Sequence, residues 1–339
     1  MSQGFQNKIG ENPIQYSKYR EYDSVTEEEF YEINKNNQFV FIVGFPKTAT
    51  STLASILDSH HEITLPDRKE PFFFASDEYN YGMGYYWEKY YSSYNQQKII
   101  CDATTGHCFL PYVPKRFFEK LPHEKIIFSM RNPIDRAYSN WWMYKSSGEE
   151  NLSFEAAIDW ELNELEKGLI PYEDDEFWNY YYKRLLTRDF RVRRKTVRTY
   201  LTRGYYALHI KRYMRYFSKE NILCTYQEDL KKDRQKVISD IVDFLNISND
   251  FEKESVKQNY HVSSNSLFVV NLRNKILPYK GNILGFILKP GQKLAKILDP
   301  NVNKTKMKND TRNILINYYE SKNKELSELL GGDFSHWNQ

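Results

Sequence analysis

Short apolar runs alternate with amphipathic segments along most of the chain. Four of the runs have the composition of strands buried on both faces, and they lie at 39–43, 98–101, 125–130 and 222–226. Between and after them, apolar residues recur at helical spacing, for example at 154–165 and 315–329. Strands that alternate with helices favour a parallel sheet covered on both faces. The pattern therefore predicts an α/β protein with three layers (α/β/α), in which helices flank a central parallel sheet.

The 339 residues are predicted to form one large domain preceded by a polar lead-in. The lead-in is residues 1–37, in which 24–29 (SVTEEE) has the acidic first turn of a helix. Residues 38–339 form the single domain, and 28 Tyr and 21 Phe supply a sizeable core. Within it, residues 262–308 are irregular, with Pro, Gly and Lys, and are predicted to be a lid or an irregular segment.

The net charge, the lengths of the apolar runs and the cysteine spacing each argue against certain classes of protein. The net charge of +3 is too small to indicate a nucleic-acid partner. No run reaches the ~18 apolar residues of a membrane span, and the first residues lack the apolar core of a signal peptide. The three cysteines have no metal-ligand spacing and are interpreted as reduced thiols: Cys101, Cys108 and Cys224. We expect a cytoplasmic, metal-free protein that acts as a monomer or homodimer, and the abundant Asn, Lys, Ile and Tyr indicate a bacterial source.

The stretch at 38–53, QFVFIVGFPKTATSTL, carries the clearest chemistry. A strand ends at Gly44, a loop contains Lys47, and helical spacing begins at Leu53, so unpaired backbone N–H groups gather at a helix N-terminus. With the charge of Lys47, these donors predict a phosphate-binding loop. Its candidate binding residues are Lys47, Thr48, Ala49, Thr50, Ser51 and Thr52. The alternative is an ordinary strand–turn–helix with a surface lysine.

The loop does not follow the Walker A order, because Lys47 comes three residues after Gly44 and no second glycine precedes it. A P-loop nucleotide kinase is therefore a weaker alternative. A second alternative is a non-catalytic nucleotide-binding module built on the same sheet.

A second anion site is predicted where the strand at 125–130 ends. Arg131 stands at the mouth of this strand, Pro133 suits the first turn of the following helix, and Ser139 lies about two turns into it. Ligands of open α/β sheets bind at the carboxyl edge, and an arginine fork with a serine hydroxyl suits a separate phosphate. The alternative is that Arg131 caps the helix or pairs with Asp135.

Together the two stretches resemble the sulfotransferases that use 3′-phosphoadenosine 5′-phosphosulfate (PAPS), especially the bacterial and heparan-sulfate-type members. GFPKTATSTL is similar to the family's G-x-x-K-x-G-T-[ST]-[ST]-L, with Ala49 at the usual glycine, and RNPIDRAYS is similar to R-[ND]-P-x-[DE]-R-x-x-S. GYYALHIKRYMRYF resembles G-x-Y-x-x-x-[LI], whose tyrosine, Tyr206, would approach the adenosine. The resemblance covers about residues 38–337. It implies the P-loop NTPase-like sulfotransferase fold, PAPS as co-substrate, 3′-phosphoadenosine 5′-phosphate (PAP) as product, and no metal.

The resemblance also implies the reaction, which is sulfuryl transfer from PAPS to a hydroxyl or an amine, with Lys47 stabilising the leaving phosphate. The general base is expected to be Glu70, because KEPFFF (69–74) resembles the K-E-x-x-F-F segment of the heparan-sulfate-type enzymes. His107 is the rival, since cytosolic small-molecule sulfotransferases use a histidine after a comparable strand, and Asp102 is a third candidate. The alternative for Glu70 is an exposed pair with Lys69.

The acceptor is expected to be a small molecule, a secondary metabolite or a saccharide. Ala103 stands where the family often has a lysine that holds anionic saccharides, which disfavours a glycosaminoglycan-like acceptor. A basic stretch at 183–203 is interpreted as a solvated helix face rather than an acceptor site, and it includes Arg191, Arg193, Arg194, Lys195 and Arg198. In the family, a loop late in the chain closes over the adenine and the 3′-phosphate. The candidates for that role here are Lys304, Lys306, and Lys280 with Gly281.

Overall fold

The computed structural model describes residues 25–146, 148–186, 198–251 and 306–338. Its centre is a sheet of five parallel strands in the order β2-β3-β1-β4-β5. The strands are β1 (Gln38–Gly44), β2 (Ile63–Thr64), β3 (Ile99–Asp102), β4 (Lys125–Met130) and β5 (Ile222–Tyr226). The four strands predicted from the sequence are confirmed as β1, β3, β4 and β5. The sequence pattern does not predict β2, because a two-residue strand shows no periodicity.

Helices flank this sheet. In chain order they are α1 (Glu27–Asn34), α2 (Thr50–Asp58), α3 (Gly82–Tyr90), α4 (Val113–Lys120), α5 (Pro133–Ser146), α6 (Phe154–Glu166), α7 (Asp175–Leu186), α8 (Tyr206–Met214), α9 (Gln227–Lys232), α10 (Arg234–Leu245) and α11 (Asn309–Leu330). Two 3-10 turns, Thr105–Phe109 and Thr202–Gly204, carry residues of the site described below. The helices predicted at 154–165 and 315–329 are α6 and α11.

Alternate residues of β1 belong to two different cores. Phe39 and Phe41 point to one face, where the ring of Phe41 stacks on that of Phe117 from α4 with centroids 3.9 Å apart. Val40 and Ile42 point to the opposite face and pack with the apolar residues of α2 and α10. A strand buried on both faces has to be apolar throughout, which is the pattern seen in the sequence. The predicted three-layer α/β/α fold is thereby confirmed.

The described part of the lead-in packs against the domain. Thr26 caps α1 because its hydroxyl accepts a hydrogen bond from the Glu29 backbone N–H at 3.2 Å. In return the carboxylate of Glu29 accepts from the Thr26 backbone N–H at 2.7 Å, which completes a capping box. Phe30 is fully buried beside Phe39 and Trp87. The helix start expected at 24–29 is therefore present.

Two parts of the predicted domain organisation fall outside the described residues. These are residues 1–24 and all of the irregular segment at 262–308 except its last three residues. Within the described chain, no helix is long and apolar enough to cross a bilayer. The three cysteines are unpaired.

The direction of the strands decides where a site can form. Because the strands are parallel, the segments that follow their carboxyl ends meet at one edge of the sheet. The loop after β1 brings Lys47 to this edge, the turn after β3 brings Thr105, and the segment after β4 brings Arg131. Helix α9 begins there directly after β5 with Gln227.

Candidate active site

The loop between β1 and α2 is held by its own hydrogen bonds and by β4. The hydroxyl of Thr48 donates to the backbone carbonyl of Phe45 at 2.5 Å, and Ser129 of β4 donates from its hydroxyl to the carbonyl of Thr48 at 2.7 Å. Lys47 and Ala49 both have positive φ, at 74° and 68°. This backbone turns sharply into the first residues of α2, so the free N–H groups of the helix face the carboxyl edge of the sheet.

The backbone conformation of Ala49 is one that glycine, the usual residue of the family motif at this position, adopts more easily. It is the N-cap of α2 and lies in the left-handed region, with φ 68° and ψ 21°. Glycine reaches this region without a steric penalty, whereas a side chain costs roughly 1–2 kcal/mol. The departure from the family motif therefore leaves the loop conformation intact at some cost in stability.

Gly44 lets the loop approach the turn after β3. A Cβ atom on this residue would lie 2.6 Å from Cys108 Sγ and 2.9 Å from the carbonyl oxygen of Thr105, and its φ is 150°. Neither contact is compatible with a real side chain. Glycine at this position is thus what allows the segments after β1 and β3 to meet.

Positive charge is concentrated beside this loop. Burial lowers the pKa of Lys47, and the nearby charges of Arg131 and Lys69 lower it further. The Arg131 guanidinium donates from Nη1 to the backbone carbonyl of Lys47 at 3.3 Å, and burial lowers the pKa of this arginine as well. Lys69 donates to the hydroxyl of Ser51 at the start of α2. Three cations around one helix N-terminus favour the binding of a polyanion.

Arg131 is not paired with Asp135, which was the alternative considered from the sequence. The carboxylate of Asp135 forms an ion pair with Arg312 of α11. Ser139, on the first two turns of α5, is partly exposed and borders the same cavity as Arg131. An arginine fork and a hydroxyl therefore lie beside the Lys47 loop.

Tyr206 lies beneath this second site rather than in it. It is 2% exposed, and its hydroxyl donates to the backbone carbonyl of Arg131 at 2.8 Å. Its ring packs on Phe45 with centroids 4.5 Å apart. Tyr206 does not border the cavity, and its described contacts support Arg131; its approach to the adenosine stays a prediction.

The predicted residues converge on a cavity of about 810 Å³ at the carboxyl edge. Of the predicted set, it is bordered by Lys47, Ala49, Thr50, Ser51, Thr52, Glu70, Arg131 and Ser139. Thr48, Tyr206 and His107 do not border it, and all three are almost fully buried. Of the three candidates for the general base, only Glu70 therefore faces the cavity.

Glu70 is held in place at the edge of the cavity by the turn after β3. The hydroxyl of Thr105 donates to Glu70 Oε1 at 2.8 Å, whereas Lys69 is engaged with Ser51. The exposed Lys69–Glu70 pair, considered as an alternative, is not formed. Asp102, the third candidate, is 1% exposed and accepts hydrogen bonds from Thr104 at 2.6 Å and from Tyr86 at 2.9 Å.

His107 is a packing residue in this structure. It is 0% exposed, and burial lowers the pKa of its imidazole to about 3. The rings of Phe72, Phe74 and Phe117 surround it, the last with its centroid 5.3 Å away. Within the described chain, neither ring nitrogen has a hydrogen-bond partner. These surroundings separate His107 from the cavity.

Backbone strain is concentrated at the cavity. Among the described residues, six non-glycine residues have positive φ, and four of them border the cavity: Lys47, Ala49, Glu70 and Phe72. Such conformations persist where the surrounding structure enforces them, and they are common at functional sites. The two facing segments at 47–49 and 70–72 are thus both held in unusual conformations around the same space.

Sequence reasoning missed several residues of the cavity wall. Gln227, Leu230, Lys231 and Arg234 border it, and their position directly after a predicted strand was an available signal. Arg203, Trp178 and Tyr181 also border it, but nothing in the local sequence distinguishes them.

The basic stretch at 183–203 is described only in part. Arg198 was predicted to lie on a solvated helix face, and this prediction is wrong. Arg198 donates from Nε to the carboxylate of Glu150 at 3.0 Å, and its guanidinium lies over the ring of Trp160. Residues 187–197 lie outside the described residues. Within the described ranges, no group of three or more His, Cys, Asp or Glu side chains is arranged to hold a metal ion.

Comparison with known proteins identifies relatives of this chain. The sequence profile of the sulfotransferase domain matches residues 37–274. The bifunctional heparan sulfate N-deacetylase/N-sulfotransferase 4 of Mus musculus is 25% identical over 295 residues, which is 85% of this chain and 29% of that protein. The membrane-associated sulfotransferase kil1 of Dictyostelium discoideum is 29% identical over 133 residues, 37% of this chain and 28% of that protein. The chain spans less than a third of the length of these two relatives.

A solved structure shares the fold. The crystal structure of a sulfotransferase from Alicyclobacillus acidocaldarius matches with a TM-score of 0.58 at 22% identity, and the match covers 89% of this chain and 99% of that chain. The profile match covers well over half of the 339 residues. This chain therefore belongs to the sulfotransferase domain family.

Proposed function

We propose that the protein is a PAPS-dependent sulfotransferase that transfers a sulfuryl group to a hydroxyl or amine of a small molecule or saccharide and releases PAP. The observation that carries this proposal is the convergence of Lys47, Arg131 and Glu70 on one cavity. Two cations there match the two phosphate groups of the donor, and the carboxylate matches the need for a base. Membership of the sulfotransferase domain family supports the same reaction.

The donor is proposed to lie along the start of α2. The backbone N–H groups of that helix, the hydroxyls of Thr50, Ser51 and Thr52, and the ammonium of Lys47 would hold the 5′-phosphosulfate. Arg131 and Ser139 would hold the separate 3′-phosphate, since a guanidinium fork suits that group. No metal is required in this arrangement, because fixed cations and amides neutralise the phosphates.

Transfer breaks the bond between sulfur and the oxygen that bridges to the 5′-phosphate, and it forms a bond between sulfur and the acceptor atom. The electron pair of the broken bond stays on the bridging oxygen as PAP leaves. Lys47 stabilises that oxygen, and its contribution is greatest in the transition state, where the negative charge builds up. The acceptor proton passes to a carboxylate oxygen of Glu70.

The hydrogen bond from Thr105 leaves one oxygen of Glu70 for the acceptor. Thr105 occupies Oε1, and Oε2 has no partner among the described residues. Glu70 and Phe72, on either side of Pro71, both have positive φ and both border the cavity. Because the hydroxyl of Thr105 fixes the orientation of the carboxylate, its second oxygen is positioned to accept the proton of the acceptor.

The acceptor is proposed only as a class. The names of the mammalian relatives refer to heparan sulfate and to N-sulfotransfer, which supports an amine as well as a hydroxyl. Ala103, at 2% exposure, supplies no charge for an anionic saccharide. The cytoplasmic location, the bacterial source and the state as monomer or homodimer stay predictions.

Calorimetric titration of the full chain with PAP, ATP and a mixed-sequence oligonucleotide tests the donor assignment. We expect PAP to bind with the same Kd in buffer containing EDTA and in buffer containing Mg²⁺, and ATP and the oligonucleotide to bind far more weakly. Binding of ATP that equals binding of PAP would support the kinase or nucleotide-binding alternative. Loss of PAP binding in EDTA would show that a metal is part of the site.

A further inference from the structure

A buried carboxylate lies at the end of β3, close to the turn that contacts Glu70. Asp102 is the last residue of β3, is 1% exposed and does not border the cavity. Its two oxygens accept hydrogen bonds from the hydroxyls of two different segments, Thr104 at 2.6 Å and Tyr86 at 2.9 Å. Asp102 therefore joins segments beside the proposed base without reaching the cavity itself.

The side chains of Thr104 and Thr105 point in opposite directions. The backbone of Thr104 is extended, with φ -107° and ψ 98°, and in extended backbone successive side chains lie on opposite sides of the chain. Thr104 is fully buried and donates inward to Asp102 Oδ1. Thr105 borders the cavity and donates to Glu70 Oε1 at 2.8 Å. The inward hydrogen bond to Asp102 therefore fixes the direction in which the hydroxyl of Thr105 points.

Tyr86 connects Asp102 to the segment that carries Glu70. Its hydroxyl, on α3, donates to Asp102 Oδ2, and the tyrosine is fully buried. Its ring packs on Phe73 and Phe74, with centroids 4.7 Å and 5.4 Å away. These two phenylalanines follow Glu70 closely in the same segment. Asp102 is thus linked to both sides of the hydrogen bond that orients the proposed base.

Burial of this carboxylate is unfavourable by itself. Within the described chain no cation forms an ion pair with Asp102, and burial raises its pKa to about 6. The hydrogen bonds from Thr104 and Tyr86 oppose this rise in pKa, whereas the nearby charge of Glu70 adds to it. A buried acid without a counter-ion needs hydrogen bonds to compensate for lost water. The two hydroxyls therefore hold the ionised carboxylate in one position, next to Glu70.

We propose that Asp102 is a positioning residue for the base of sulfuryl transfer. Its Oδ1 keeps Thr104 inward and so directs the hydroxyl of Thr105 to Glu70, and its Oδ2 holds Tyr86 against the segment that carries the base. It exchanges no proton with the acceptor, because it is buried and does not border the cavity. This proposal rests on the proposed function, because it concerns the orientation of the base assigned there.

The carboxyl carbon of Glu70 reports on this orientation without any acceptor or donor. NMR spectra of the full chain with carbon-13 in the glutamate carboxyl groups contain its signal, which is assigned by its loss in Glu70→Gln. Thr105→Val removes the hydrogen bond and so defines the shift that its loss causes. We expect Asp102→Ala and Thr104→Val to move the Glu70 signal in the same direction and by a similar amount. Thr104→Val keeps the shape of the side chain, so it decides the question if Asp102→Ala fails to fold.

Asp102→Asn is the conservative variant and should rescue the orientation. Its carbonyl oxygen can still accept from Thr104, and its amide can donate to the hydroxyl of Tyr86. Tyr86 can then donate to the hydroxyl of Tyr91, 2.9 Å away, and Tyr91 can donate to the carbonyl of Cys101 at 3.3 Å. Since every hydrogen bond is replaced, we expect the Glu70 signal to stay at the wild-type position.

Glu124→Ala is the control for the loss of a buried carboxylate. Glu124 is 8% exposed and accepts from the backbone N–H of Phe39 at the amino end of the sheet, away from the cavity. Its removal should cost stability and leave the Glu70 signal in place. Circular dichroism shows which variants are folded under the conditions of the NMR measurement.

Turnover gives a second readout that a merely structural role would not reproduce. In PAPS hydrolysis water replaces the acceptor and passes its proton to Glu70, so the release of labelled sulfate can be followed with PAPS alone. Asp102→Ala should lower this rate roughly 10- to 100-fold, because a displaced base loses its alignment, and leave the Kd for PAP nearly unchanged. If Asp102 acts through Thr105, the double variant Asp102→Ala/Thr105→Val should be no slower than Thr105→Val alone. Independent effects would multiply.

Three results overturn the proposal. The first is a Glu70 signal that stays in place in the folded Asp102 and Thr104 variants although Thr105→Val moves it. The second is a signal that Thr105→Val itself does not move. The third is hydrolysis as slow in Asp102→Asn as in Asp102→Ala, which would mean that the charge of Asp102 matters and not its hydrogen bonds. If the wild-type chain fails to bind PAP, the proposed function is wrong, and the NMR comparison still decides whether Asp102 positions Glu70.

Discussion

The hydroxyl of Thr105 donates to Glu70 Oε1 at 2.8 Å, which joins two residues 35 positions apart in the chain. The contact spans the cavity edge between the turn after β3 and the segment that precedes Phe72. It orients the one candidate base that faces the cavity. The proposed mechanism therefore depends on a contact between two segments whose relative position is set by the sheet.

Glu70→Gln is expected to lower turnover by roughly 10²- to 10⁴-fold, the usual contribution of a general base. The amide oxygen of glutamine can still accept the hydrogen bond from Thr105, so the segment should keep its position. The Kd for PAP should change little, because the proposed donor site is formed by Lys47 and Arg131 and not by this carboxylate. The measurement is kcat with a hydroxyl acceptor, alongside PAP titration.

His107→Leu is the matched control for that experiment. The imidazole is buried among phenylalanines with both nitrogens unpartnered in the described chain, so an apolar side chain of similar size suits its surroundings. We expect turnover to persist and the free energy of unfolding to be maintained. A variant that folds but has lost turnover, while Glu70→Gln keeps it, would make His107 the base.

Lys47→Ala should lower kcat as well as the affinity for the donor. Charge develops on the leaving oxygen during transfer, so the interaction with Lys47 is stronger in the transition state than in the ground state. Steady-state kinetics with PAPS separates the two effects. An increase in KM with an unchanged kcat would limit Lys47 to a binding role.

Arg131→Ala should weaken PAP much more than adenosine 5′-phosphosulfate, since only PAP carries the 3′-phosphate. The lost charge-assisted contact is worth on the order of 2–3 kcal/mol, or roughly 30- to 150-fold in Kd. Arg215→Ala serves as the control, because this exposed residue does not border the cavity. Equal weakening of both nucleotides would place Arg131 away from the 3′-phosphate.

Ala49→Gly should stabilise the protein, although glycine usually destabilises helices. Ala49 has φ 68° at the N-cap of α2, where glycine removes strain and is the better cap. The greater entropy of glycine in the unfolded chain offsets part of the gain, so we expect about 0.5–1 kcal/mol in urea unfolding. Ala54→Gly, inside the same helix, should instead lose about 1 kcal/mol. A loss at both positions would contradict the loop conformation.

Glu124→Gln should change how stability depends on pH. Burial raises the pKa of Glu124 from 4.5 to about 8, although its carboxylate accepts a hydrogen bond from the backbone N–H of Phe39. Because the pKa of Glu124 is higher in the folded state than in the unfolded state, the folded state binds more protons between pH 4.5 and about pH 8. The contribution of Glu124 to stability is therefore lost as the pH rises from about 4.5 to about 8.

The glutamine variant stays neutral, so it should match the wild type near pH 5 and exceed it near pH 8.5 by at least about 1 kcal/mol. Urea unfolding at the two pH values measures this difference. Glu32→Gln, whose side chain is 72% exposed, should show no such dependence. A gain that is equal at both pH values would mean that Glu124 is ionised throughout.

The sequence by itself determined four of the five strands and the loop after β1, because both depend on local patterns. Strands buried on both faces must be apolar along their whole length, so β1, β3, β4 and β5 were readable. The loop after β1 was readable because few residue types fit a turn that exposes backbone N–H groups at a helix start. Since parallel strands end at one edge, the meeting of Lys47 and Arg131 followed from the topology.

The tertiary structure alone decided which candidates reach the cavity. Glu70 and His107 each follow a plausible pattern in the sequence, but His107 is surrounded by Phe72, Phe74 and Phe117 and is separated from the site. Tyr206 was likewise placed beneath Arg131 by packing on Phe45. Burial of a side chain depends on residues that arrive from distant parts of the chain, and local periodicity carries no information about them.

Arg203 shows the same limit most clearly. In the sequence it ends a basic stretch that reads as a solvated surface, whereas in the fold α7 and the turn after β3 close over it. Its partners at Asn140, Tyr181 and Phe109 come from three separate segments. The surrounding chain removes water from this charge, and only the packed structure determines where that happens.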